Sequence, residues 1–113
     1  PATTLGMLQK GITSVTAASK TTYTAVASDQ IVVDTVANPV TITLPSSPAV
    51  GDEVTIMDGS ASNGFATNNC IIDRGGSNIE GAAANDTLAT NNQCVTLIYA
   101  NATKGWLYKS TNQ

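Results

Sequence analysis

The chain has 113 residues, of which 42% are hydrophobic and only 12% charged, with a net charge of −3 and no histidine. That length supports one domain with a modest core; five Lys and Arg make no basic stripe against a phosphate backbone, and no run nears the ~20 apolar residues of a membrane span. Nucleic acid and membrane are therefore not expected partners, and the lack of histidine excludes Ser-His-Asp and Cys-His hydrolysis.

Residues 1–20 carry Leu5, Met7, Leu8 and Ile12 without a sustained period of 2 or 3.6, and read as an N-terminal arm rather than as core. Apolar side chains this dense call for a cover, which makes Leu5, Met7, Leu8 and Ile12 candidates for docking on a partner or between sister subunits. From Thr21 the texture changes to short β-type runs cut by turn formers. Tyr23–Val26, Gln30–Val36 and Val40–Leu44 come first, with turns at Ala27-Ser28-Asp29 and Ala37-Asn38-Pro39. Val40-Thr41-Ile42-Thr43-Leu44 alternates strictly, so Val40, Ile42 and Leu44 share a core face, and Pro45 ends the run because it brings no N–H to a ladder.

Glu53–Met57 follows and is turned by Asp58-Gly59. The polar loop 59–69 is expected to be pinned to the body by Phe65, the only phenylalanine. Cys70–Asp73 ends at Arg74-Gly75-Gly76, and Asn78–Glu80 is a short segment ended by Gly81. Thr87–Ala89, Gln93–Tyr99 and Trp106–Lys109 complete the series, the last two joined by a hairpin loop closing on Gly105. Short strands at regular intervals without a helical pattern predict an all-β chain. The expected build is a single β-sandwich or jelly-roll-like domain over residues 21–113, behind the arm of residues 1–20.

Chemistry-bearing residues are sparse. Cys70 and Cys94 sit in apolar runs and read as two buried thiols, with a disulfide left open should their strands be neighbours. Without histidine they cannot complete a structural zinc site, and no phosphate-binding glycine motif is present, so neither metal nor cofactor is expected. Asp52, Glu53, Asp58, Asp73 and Glu80 read as turn caps and solubilising charges; a glycosidase pair and a calcium site between Asp58 and Asp73 are the alternatives. Arg74 is expected to pair with Asp73 or Glu80 across a turn. The sequons Asn85-Asp86-Thr87 and Asn101-Ala102-Thr103 are chance matches in an Asn- and Thr-rich chain. Tyr23, Tyr99, Trp106 and Tyr108 read as core and strand-pair residues, with Trp106 and Tyr108 the alternative platform for stacking a glycan receptor. No catalytic residues are assigned.

The order of the runs carries a resemblance. Tyr23-Thr24-Ala25, Asp29-Gln30-Ile31-Val32-Val33-Asp34, Val40-Thr41-Ile42-Thr43-Leu44-Pro45 and Pro48-Ala49-Val50-Gly51-Asp52-Glu53-Val54-Thr55-Ile56-Met57-Asp58 come in sequence. Asn69-Cys70-Ile71-Ile72-Asp73-Arg74, Ser77-Asn78-Ile79-Glu80-Gly81, Val95-Thr96-Leu97-Ile98-Tyr99 and Gly105-Trp106 follow. Together they resemble the small β-domain of tailed-bacteriophage virion proteins: capsid decoration (cement) proteins, head fibres and tail fibres. Cys70 departs from the Ile or Val expected there, a volume-tolerant change. The resemblance implies a non-enzymatic homotrimer on the outer surface of the virion, partnered by the major capsid protein or another virion protein. It also implies attachment through the arm. A tail or collar fibre is the alternative.

Overall fold

The computed structural model describes residues 11–112. Along the chain, branched apolar residues alternate with Thr and other polar residues. The pleat turns every second one inward, so Ile31 and Val33, Val40 and Ile42, Val54 and Ile56, Cys70 and Ile72, and Val95 and Leu97 are all buried. The strands are β1 (Ile12–Thr16), β2 (Thr22–Thr24), β3 (Gln30–Asp34), β4 (Val40–Thr43), β5 (Glu53–Asp58), β6 (Cys70–Asp73), β7 (Asp86–Leu88), β8 (Cys94–Asn101) and β9 (Gly105–Asn112).

They form two sheets, ordered β1-β3-β5-β8-β9 and β2-β4-β6-β7, and the buried side chains of both make one core. Successive strands at first fall in alternate sheets. β1, β3 and β5 pair in parallel, Ile12 beside Gln30 and Gln30 beside Thr55. β2, β4 and β6 do the same in the other sheet, Thr22 beside Thr41 and Thr41 beside Ile71. The first six strands therefore wind as a flattened coil, and each turn supplies the long crossover that parallel pairing requires. The turns around 27–29 and 37–39 carry the chain from one sheet to the other and do not close hairpins. Direction reverses only afterwards: β7 runs antiparallel to β6, β8 to β5 and β9 to β8.

The all-β class and the packing of two sheets agree with the sequence, as does the hairpin between β8 and β9. The stretch read as an arm needs a correction. Ile12–Thr16 is a strand in register with β3, and Val15 and Ala17 are buried. Its Thr and Ser leave so few apolar positions that the alternation is hard to see. Asn78–Glu80 is no strand either; Ile79 makes isolated bridges to Ala82 and Trp106.

Candidate functional site

Of the docking candidates, Leu5, Met7 and Leu8 lie outside the described residues. Ile12 opens β1, the edge strand of the five-stranded sheet, with 63% of its surface exposed. Inside this edge, the Tyr23 hydroxyl on β2 donates to Asp29 Oδ2 at 2.8 Å, and the Val26 N–H donates to the same oxygen at 2.9 Å. Asp29 is itself buried, and this bonded carboxylate is a feature the sequence reading passed over. Burial, followed by the bond to Asp29, pushes the Tyr23 pKa up.

The opposite edge is built around Gly105. It sits at φ +70°, and a Cβ there would collide with the Asn78 carbonyl. Only a glycine lets the backbone of 78–82 lie against the start of β9. That segment turns tightly, with Ile79 and Ala82 exchanging N–H···O=C bonds of 2.9 Å across Glu80 and Gly81, both at positive φ. It then caps β9: the Trp106 N–H donates to the Asn78 carbonyl at 2.8 Å, and the Glu80 N–H donates to the Trp106 carbonyl at 2.8 Å. The Glu80 carboxylate accepts the Tyr108 N–H at 3.0 Å. A positive φ is costly for glutamate. Its two bonds to β9 are what hold it there.

This arrangement removes Trp106 from the glycan-stacking candidates. Its side chain is 0% exposed and packs edge-on against Tyr99 with ring centroids 5.6 Å apart, so no sugar can reach either face. Its indole Nε1 is buried, with no hydrogen-bond partner among the described residues. Tyr108 is half-buried, and its hydroxyl donates to Asp86 Oδ2 on β7, tying one sheet to the other. Burial, then the Asp86 bond and the nearby Asp86 and Glu80 charges, push its pKa well up. The aromatic group is therefore structural, and the signal that separates it from a platform is Gly105, which permits the burial.

The carboxylates hold turns. Asp58 accepts the N–H groups of Ser60, Phe65 and Asn92 at 3.0, 3.1 and 3.0 Å, which fastens the loop 59–69 to the end of β5 and seats the fully buried Phe65. Burial works to raise the Asp58 pKa, but these backbone bonds outweigh it and bring the pKa down. Asp73 accepts the Gly75 N–H at 2.9 Å, and Asp52 accepts the Ala49 N–H at 2.8 Å. The calcium alternative finds no support at Asp58 and Asp73: among the described residues, no group of three or more Asp, Glu or Cys side chains is placed to hold a metal ion. Arg74 departs from expectation: its guanidinium donates to the Ser77 carbonyl at 3.0 Å, closing its own turn rather than pairing with Asp73 or Glu80.

Cys70 is buried and Cys94 half-buried, and both are free thiols on strands of different sheets. Burial pushes the Cys70 thiol up to about 12, so it stays protonated and unreactive at neutral pH. No protein-family model and no curated protein matches the chain.

Proposed function

We propose that this chain is a bacteriophage virion structural protein, a trimeric capsid decoration protein or short head fibre on the outer surface of the particle, attached through its N-terminal residues. The observation that carries the reading is the ordered series of runs from Tyr23 to Trp106. Two physical features support it. Most exposed strand positions carry Thr, Ser, Asn or Gln, with Lys109 the one exposed charge on a described strand, a surface suited to permanent exposure outside a cell. Asp52, Asp58 and Asp73 use their carboxylates to hold turns, as expected of a structural domain.

Native mass and particle attachment test it. Light scattering across a size-exclusion peak is expected to give three times 11.5 kDa. Deleting residues 1–10, which spares β1, is expected to leave a folded domain that no longer binds particles; continued binding would remove the N-terminal anchor. Copy number separates decoration from the second reading, a tail or collar fibre. A number comparable to that of the major capsid protein fits decoration, and a few copies per particle fits a fibre. The fibre's glycan-binding variant is the weaker one, since Trp106 is buried.

A further inference from the structure

The two edges of the five-stranded sheet are finished in opposite ways. On β9 the outward N–H groups of Trp106 and Tyr108 are taken by the Asn78 carbonyl and the Glu80 carboxylate, and Lys109 adds a charge. Bonding of this kind blocks addition of another strand. In the other sheet the edge strands β2 and β7 have only three residues each. Among the described residues β1 has no such cap, and from Gly11 to Ser19 there is no charged residue and no proline.

Its backbone is also poised to bond outward. The Ala17 N–H donates to the Asp34 carbonyl at 2.9 Å. Bonding direction alternates along a strand, so Thr13 and Val15 also address β3 while Ile12, Ser14 and Thr16 turn their amides away from it. The Thr16 carbonyl is used by the N–H groups of Ser19 and Lys20, both at 2.9 Å. Among the described residues, no strand lies beyond β1.

We propose that β1 is a self-pairing edge: two copies of the chain join their β1 strands antiparallel about a two-fold axis at Ser14, making one continuous sheet. In this register Ser14 meets Ser14 of the second copy and each donates its N–H to the other. Ile12 meets Thr16, and Thr13 meets Val15. Facing residues differ by even steps, so outer side chains meet outer ones and core-side ones meet core-side ones. No like charges oppose each other. The two-fold makes the contact isologous, so it uses up the β1 edge of both copies and closes at one pair. A five-residue edge falls short of the ~1,000 Å² of a strong interface, so association is expected to depend on concentration. The pairing does not rest on the virion reading: it joins monomers two by two, and it joins a trimer to further trimers through its three β1 edges.

Cysteine cross-linking of the full chain tests it. In a hydrogen-bonded antiparallel pair the facing Cα atoms are about 5.5 Å apart, within disulfide reach. Ser14→Cys is expected to form a cross-linked pair under mild oxidation at concentrations where Ser62→Cys, on an exposed loop, does not. In sedimentation equilibrium, Ser14→Pro removes an outward N–H without touching the β3 ladder. It is expected to weaken pairing by about tenfold or more. Should that proline disturb the fold, Ser14→Lys sets two lysines against each other on the two-fold axis and is expected to weaken pairing too. Cross-linking of Ser14→Cys no faster than of Ser62→Cys, or only monomers or trimers at every concentration, would overturn the proposal while leaving the virion reading intact. Cross-linking that begins only after deletion of residues 1–10 would show that the chain covers its own edge, and would overturn it as well.

Discussion

The coil of the first six strands and the closing segment from β7 onward use the same two sheets but stabilise them differently. In the coil, the inward positions of β3 to β6 are Ile, Val and Cys, each covering its parallel neighbour one turn away. The closing segment instead concentrates Trp106, Tyr99 and Tyr108 in one place, under a turn that depends on Gly105. A regular coil distributes its stability over many similar contacts, whereas a cap depends on a few large ones. Substitutions should therefore be graded in the coil and severe in the cap.

The largest effect is expected at the cap. Trp106→Ala should destabilise by about 3–5 kcal/mol, as for other fully buried large aromatics. Gly105→Ala should cost about 2–4 kcal/mol, from a positive φ and from a Cβ driven into the Asn78 carbonyl. Urea unfolding followed by circular dichroism measures both. In the coil, Ile42→Ala is expected to cost about 2–4 kcal/mol, and the neighbouring turns should share the loss. Because β5 pairs with both β3 and β8, the halves share a sheet and should unfold in one transition. Two separated transitions in the Trp106→Ala protein would show that the halves are independent, and the comparison would then describe two units.

The fold was partly legible for a reason the coil makes clear. Alternation identified β3, β4, β5, β6 and β8 within one or two residues at each end, because burial on one face imposes period two whatever the direction of the neighbouring strand. Direction itself left no trace. Parallel strands covered on both faces read as continuous apolar runs, but here each sheet keeps one face open, so the alternation resembles that of an antiparallel sandwich. β1 was hidden because its strand positions offer only Val15 to the core. Trp106 was open to misassignment as a surface platform because its burial depends on contact with residues 78–82, a segment far from it in sequence.

A middle-sized effect tests the loop between β5 and β6, which Asp58 ties to the turn before β8. Asp58 supplies the acceptor for three backbone N–H groups drawn from both sides of the loop 59–69 and from the turn before β8. Asp58→Ala should cost about 1–3 kcal/mol, with Phe65 loosened as its N–H loses its partner. Gly64→Ala should disturb the same site from the other direction, since a Cβ there would lie 2.5 Å from Asp58 Oδ2 and 2.7 Å from Asn91 Oδ1. Protease cleavage within 59–69 is the direct readout. A loop that stays resistant in Asp58→Ala would mean that Phe65 alone holds it.

The smallest effects are those of pH, and they fall on opposite sides of neutrality. Asp58 has a lowered pKa in the folded chain, so the unfolded chain takes up its proton first as pH falls through the ordinary value of 3.8. The stability Asp58 contributes is present above that value and is lost below it. Tyr108 and Tyr23 are raised from 10.0, so above that pH the unfolded chain releases protons that the folded chain retains. Their contribution is complete below pH 10 and declines as pH rises. The larger displacement is at Tyr108, in the cap. Tyr108→Phe should therefore flatten the alkaline decline more than Tyr23→Phe does, while leaving the acid limb unchanged. Asp58→Asn should flatten the acid limb alone. Urea midpoints from pH 3 to 11 measure all three, and an alkaline limb that flattens equally in the two tyrosine variants would mean that the cap has no privileged hold on its phenol.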